Sequence, residues 1–258
     1  MCHVRNALYR LEKVLPAGGV FLAIFLTALV CARAAPPPEG AVAALWQAAA
    51  DLRAVGSVTG AADAFERIAV LTPDDPAPLV EVGAIYLWQR RWLLAADAFN
   101  RALARRPDLA PAWAGLAAAE WAQGSRTQAV AHWETALQHQ PDLLAARLGL
   151  AHAHLEQGDA SAALELLRTG LALSDASSPD TCPLCDEARL LLAAILALDE
   201  PDAARAVLAA IANDAAPPVA ARRDYLLATL DHAAAASGPV AAARTIGLAL
   251  AQAELWPM

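Results

Sequence analysis

An all-α chain made by stacking helical hairpins is the fold this sequence predicts, and three observations predict it. Of 258 residues 58 % are hydrophobic but only 5 % aromatic, so a core must be assembled mainly from Ala and Leu, the best helix formers. Runs of β-branched or aromatic residues bounded by turn residues, the usual signal of strands, are scarce. The chain also repeats itself: "RRPDLAPAWAGLAAAEWAQG" at 105–124 returns 34 residues later as "HQPDLLAARLGLAHAHLEQG". A fixed period in this range is the signature of stacked repeats, each leaving an apolar face that only its neighbour covers.

In chain order, residues 1–34 read as an export leader. Arg5, Arg10 and Lys13 precede an uncharged stretch, Val14 to Ala32, and Ala32-Arg33-Ala34 fits the small-x-small pattern of a signal peptidase site. Left uncut, the stretch is about long enough to span a bilayer, so signal peptide and signal anchor are both expected readings. Either puts the rest of the chain outside the cytoplasmic membrane, because the positive flank stays inside. Leu29 and Val30 before Cys31 lack the small residue that lipoprotein processing needs. Residues 35–41 form a Pro-rich linker. Beyond residue 34 the chain holds 15 basic against 26 acidic residues, a net of −11, and no lysine. That balance, with no basic run, makes nucleic acid or an anionic membrane surface a poor partner. Membrane contact is expected only through the N-terminal segment, if it stays uncleaved.

Residues 42–174 carry the four clear repeats. Pro73, Pro107 and Pro141 stand 34 apart, with Asp175 where a fourth proline would fall. Between them the columns keep their character: Leu45, Leu79, Trp113, Arg147; Ala48, Val82, Leu116, Leu150; Ala49, Gly83, Ala117, Ala151. In the second half of each unit come Ala61, Ala95, Ala129, Ala163; Phe65, Phe99, Trp133, Leu167; Ile68, Ala102, Ala136, Gly170. Small and large residues alternate at helical spacing, so helices approach closely while a bulky side chain fills the gap beside them. Asp75, Asp108 and Asp142 are placed to cap the first helix of a unit, with Pro76 suited to its first turn. Gly56-Ser57, Gly124-Ser125 and Gly158-Asp159 are placed to end that helix and cap the second.

Residues 175–186 read as a loop holding "CPLC", and 187–258 as two degenerate hairpins. Their second helices are marked by Ala204, Leu208 and Ile211, then by Ala242, Ile246 and Ala249. The last helix is apolar for a terminal repeat, which normally shows a polar outer face. Homo-oligomerisation through it, around Leu250 and Trp256, is one expectation.

Leu79, Val82-Gly83, Tyr86, Ala95, Phe99, Ala102 and Pro107 together resemble the tetratricopeptide repeat family. The resemblance covers about residues 42–174 and departs from the family pattern at Arg147, Glu120 and His154. It implies a right-handed α-solenoid, here of about six hairpins, whose first helices line a concave face that binds proteins or peptides. By the family pattern that groove is formed by Ala43, Trp46, Ala50, Arg53 and Ala54; Ala77, Val80, Ala84, Leu87 and Trp88; Pro111, Ala114, Ala118, Trp121 and Ala122; and Ala145, Leu148, His152, Leu155 and Glu156. The Lys, Arg and Asn clamp with which chaperone-binding members hold a terminal carboxylate is missing. An apolar floor remains, with Trp46, Val80, Leu87, Trp88, Trp121, Leu148 and His152 as its larger members. An amphipathic helix or extended apolar segment is the expected occupant. The competing account is that the tryptophans simply pack against neighbouring helices.

Cys182 and Cys185 are the only cysteines beyond the leader. In an oxidising compartment a disulfide is the first reading. A redox-active pair at a helix N-terminus and half of a zinc site shared by two copies are the others. His154, in a core column, is expected to be a hydrogen-bonded structural histidine. No catalytic constellation, cofactor motif or complete metal-ligand set is present, so the expected activity is a non-catalytic scaffold in assembly of an envelope or secretion complex. A thiol-disulfide module on Cys182 and Cys185 and a self-associating structural repeat are the alternatives.

Overall fold

The computed structural model describes residues 40–177, 183–197, 199–211 and 215–235. Among them are eleven α-helices and no strand. The chain divides into two compact units, Met1–Leu71 and Thr72–Met258. In the first, α1 (Ala41–Ala54) and α2 (Val58–Leu71) form one hairpin. The second holds α3 (Ala77–Trp88), α4 (Trp92–Arg105), α5 (Ala110–Ala122), α6 (Arg126–His139), α7 (Leu144–Glu156), α8 (Ala160–Ser177), α9 (Pro183–Leu196), α10 (Pro201–Ala209) and α11 (Pro217–Ala234). Within this unit each helix packs on the next, and the first helices α3, α5, α7, α9 and α11 also pack on one another in order. That is an α-solenoid. The leader, Cys182 and the second helix of the last hairpin, with Ala242, Ile246, Ala249, Leu250 and Trp256, lie outside the described residues.

The second-helix columns are the spine of both units. Ala61, Ala95, Ala129 and Ala163 are fully buried, and Phe65, Phe99, Trp133 and Leu167 nearly so. The rings of Phe99 and Trp133 fit because glycine faces them. A Cβ placed on Gly83, in the same hairpin, or on Gly115, in the next, would come within 3.0 Å of three atoms of the Phe99 ring, and one on Gly149 would meet Trp133 in the same way. The column with Leu45 and Arg147 is less uniform: Leu79 is buried, Trp113 and Arg147 half-buried. Yet Trp113 Nε1 donates to the Pro107 carbonyl at 2.7 Å, and Arg147 donates through Nε and an Nη to the Pro141 carbonyl at 3.1 and 2.8 Å. Arg147 therefore makes the same hydrogen bond as the tryptophan one unit earlier. Toward the end of the chain, Arg222 makes a two-pronged ion pair with Glu187 at 2.6 and 3.0 Å, tying α11 to α9.

Four turns inside hairpins share one bonding scheme. The backbone N–H groups of Ser57, Arg91, Ser125 and Asp159 reach back to the carbonyls of Leu52, Tyr86, Glu120 and His154 at 2.8–2.9 Å, the closure that satisfies the last carbonyls of a helix. The preceding residue adopts the left-handed conformation: Gly56, Gly124 and Gly158 at φ 78, 86 and 80°, but Arg90 at φ 58°. A side chain there costs energy that glycine avoids. Arg90→Gly is expected to raise stability by about 1 kcal/mol, read as a higher urea midpoint; an unchanged or lower midpoint would show that the turn is unstrained with arginine in place.

Two features depart from expectation. Asp75 does accept a hydrogen bond from the Ala77 N–H at 3.0 Å, and Asp159 accepts one from Ala162 at 3.0 Å. Asp108 and Asp142, however, make no capping bond: Leu109 and Leu143 hold the N-cap positions of α5 and α7 without a side-chain cap, although Asp75, which likewise precedes its N-cap Pro76 by one residue, does reach the first turn of α3. Ser125 sits at the N-cap of α6 but its hydroxyl makes no capping bond. The segment expected as a loop at 175–186 is helical at both ends, because α8 runs to Ser177 and α9 begins at Pro183, a residue tolerated in a first helical turn where its missing N–H leaves nothing unpaired.

Candidate functional site

Most surface helices carry one apolar stripe and one polar face. α3 does not: in "APLVEVGAIYLW" Glu81 is the sole charged residue. Leu79, Val82, Gly83 and Ile85 are buried in the hairpin, and the opposite side is left with Ala77, Val80, Ala84, Leu87 and Trp88. Of these, Ala84 and Trp88 are exposed and Leu87 is half-buried, while Ala77 is exposed at the helix start and Val80 is half-buried. This is the row that the family resemblance assigns to the groove. In α5 the same row has Pro111 and Ala122 exposed and Ala118 and Trp121 half-buried, whereas Ala114 is buried; in α7 Leu155 is buried while Ala145, Leu148 and His152 are half-covered. Ala114 and Leu155 are thus not groove-forming, because the first helices stack on one another and Leu155 is taken into the core that contains α9.

The larger side chains differ in what they offer. Trp88 is 74 % exposed. Trp121 is half-buried, its ring 5.3 Å from that of Trp133 at 48°, with the Arg126 guanidinium 4.0 Å above it. Arg126 also donates to the Trp121 carbonyl and pairs with Glu156 at 3.1 Å. Trp121 is therefore braced by its neighbours, whereas Trp88 stands open to solvent. Trp46 belongs to the first unit, where it packs edge-on against Phe65, centroids 5.0 Å apart. Leu148 leans on the C-terminal core. Burial holds the His152 imidazole below its ordinary pKa, outweighing the opposite pull of Glu156 and Glu187, so the neutral ring is favoured.

The positions that break the family's aromatic column are resolved in two ways. Glu120 accepts from or pairs with His132 Nδ1 at 2.7 Å, and Trp113 packs 5.0 Å from the His132 ring, a pair twelve residues apart that the column alone does not reveal. His154 is not the hydrogen-bonded histidine expected. Its Nδ1 is buried without a hydrogen-bond partner, with Asp159 at 3.8 Å, too far for one. His154 lines a cleft of about 400 Å³ with Val130, Leu150, Glu134 and Glu165, beside one of about 350 Å³ bounded by Trp121, Arg126 and Glu156. Neither hollow was legible in the sequence.

Cys185 is disulfide-bonded and 1 % exposed, and the Ser174 hydroxyl lies 3.0 Å from its sulfur. Among the described residues no group of three or more His, Cys, Asp or Glu is placed to hold a metal ion, and no helix is long and apolar enough to cross a membrane. The remaining exposed large apolar residues of the second unit include Leu93 and Leu94, directly after the α3–α4 turn. They fall outside the row the resemblance singles out.

Residues 120–180 match the family described as tetratricopeptide repeat. Of solved structures, the thermophilic repeat protein TTC0263 of Thermus thermophilus is 22 % identical with a TM-score of 0.59, the match covering 73 % of this chain and 100 % of that one. The protein pilF of Pseudomonas aeruginosa is 17 % identical with a TM-score of 0.58, covering 83 % and 92 %. At these identities the likeness is one of fold. No curated protein matches the chain.

Proposed function

We propose, from the premise that this chain is a tetratricopeptide-repeat protein, that it is a non-catalytic scaffold outside the cytoplasmic membrane which holds an apolar segment of a partner protein along α3 and α5, in assembly of an envelope or secretion complex. The observation that carries the reading is the uncovered row of α3. Val80, Ala84 and Leu87 form an apolar face on which the small Ala84 lets a backbone approach. Contiguous exposed apolar surface of this kind marks contact sites. The row holds no Lys, Arg or Asn, so it favours a segment recognised by its side chains over a chain terminus recognised by its carboxylate.

The extracytoplasmic setting rests on the leader of residues 1–34 and on the disulfide at Cys185, a bond kept in oxidising compartments. The sulfur of Cys185 is buried, and thiol exchange needs an accessible sulfur for in-line attack. That supports a structural pair over a catalytic one.

The test uses the chain as bait in its own cell-envelope extract beside a Val80→Asp, Leu87→Asp variant whose fold is confirmed by circular dichroism. Both side chains are only half-buried. The parent is expected to retain a partner that the variant loses. Equal capture by both would remove the α3 row as the site.

A further inference from the structure

We propose that the α3–α4 turn is a membrane-contact tip, with Trp88, Leu93 and Leu94 entering the interfacial layer of a bilayer and Arg90 and Arg91 meeting anionic lipid headgroups. The repeat makes this turn stand out. At the position of Trp88 the other three clear units carry Ala54, Ala122 and Glu156; at that of Leu93, Thr59, Thr127 and Ser161; at that of Leu94, Gly60, Gln128 and Ala162. Three sites that are small or polar elsewhere are large and apolar here, and they are uncovered: Trp88 74 %, Leu93 76 % and Leu94 39 % exposed.

The charge at the tip runs against the rest of the chain. Between residues 84 and 96 the charged residues are Arg90 and Arg91, a net of +2, while the equivalent windows 50–62, 118–130 and 152–164 carry 0, 0 and −2. Arg90 and Arg91 are adjacent and exposed, and neither makes an ion pair among the described residues; the Arg91 guanidinium rests 5.1 Å over the Tyr86 ring. The acidic balance of the whole chain weakens long-range attraction to an anionic surface. Contact, however, is decided by charges within a Debye length, about 8 Å at physiological ionic strength, and within that distance the tip offers guanidinium groups.

The exposures favour a lipid surface over a peptide. A peptide is gripped by side chains that wall a concavity, whereas an indole and a leucine about three-quarters uncovered on a tight turn stand out from their surroundings. Trp is suited to the headgroup level, where its ring is wetted on one side only, and arginine beside it reaches phosphate.

The experiment uses the full chain and reads Trp88 alone as the fluorescence of the parent minus that of Trp88→Phe. Vesicles are phosphatidylglycerol or phosphatidylcholine with brominated acyl chains. On phosphatidylglycerol the Trp88 component is expected to shift to the blue and lose most of its intensity to the bromines. Both changes should vanish in Leu93→Gln, Leu94→Gln. Half-saturating lipid concentration should rise about fivefold for each of Arg90→Gln and Arg91→Gln. A Trp88 component that stays as in buffer while the chain is vesicle-bound overturns the proposal and assigns the tip to a protein. Equal quenching on phosphatidylcholine overturns the headgroup assignment. Val80→Asn, Leu87→Asn, which makes the α3 row polar without adding charge beside the tip, should leave the Trp88 component unchanged, so failure of the groove reading and failure of this one are told apart.

Discussion

Truncating Phe99 to alanine is expected to cost about 3–5 kcal/mol, the loss of a buried aromatic plus the cavity it leaves. The ring is 2 % exposed and lies between Gly83 of its own hairpin and Gly115 of the next. Its neighbours are backbone on two sides, so no side chain there can swing in to refill the space, and collapse would require α3, α4 and α5 to shift together. That places the expected value toward the upper end. Denaturant unfolding followed by circular dichroism gives the number. A loss below about 1.5 kcal/mol, the scale of a volume-conserving swap, would mean that the helices close over the gap.

Gly149→Ala is expected to destabilise by about 1–3 kcal/mol, although alanine is the better helix former. The added methyl meets three atoms of the Trp133 indole, and that indole has little freedom to retreat, being 4 % exposed and in contact with Trp121. The decisive comparison is the same substitution in a Trp133→Leu background. Leucine is what the fourth unit already carries at this column, as Leu167, and it leaves room for a methyl. There Gly149→Ala should be neutral or stabilising, and the double-mutant cycle should return a coupling of at least about 1 kcal/mol. Additive costs would mean that the clash is not with the ring. The unit-to-unit match of ring and glycine is then a local fit, set separately at each junction.

The hairpins were legible because a period of 34 residues survives in columns of Ala, Gly and large apolar residues, and such columns admit few other arrangements. Turn closure was legible at Gly56, Gly124 and Gly158, where the residue type states the backbone conformation, and illegible at Arg90, where it contradicts it. The capping bonds expected of Asp108 and Asp142 are not made, while Asp75, at the same offset from its helix, makes one, because sequence position does not state which way a side chain turns. For the groove, the α3 row could be read directly, since a helix with one charge must leave apolar atoms uncovered. Which members of α5 and α7 are covered depends on how closely the next first helix lies, and that is a property of packing: Ala114 and Leu155 are lost to it. The tip at Trp88, Leu93 and Leu94 shows the opposite case. Three positions that are small or polar in the other clear units are large, apolar and uncovered here, so the information lay in difference where similarity was being sought.

Arg147 carries this further. At its position in the third and fourth units an N–H is aimed at the proline carbonyl six residues back, from an indole at Trp113 and a guanidinium at Arg147. The two side chains sit far apart on any hydrophobicity scale and are interchangeable only as donors. Leu79 holds the same position in the second unit, six residues after Pro73, and is buried there with no N–H to offer. The site therefore admits two solutions, an aliphatic side chain taken into the core or a long one whose N–H reaches the proline carbonyl, and a unit that looks eroded at Arg147 when scored by residue class is intact when scored by that bond.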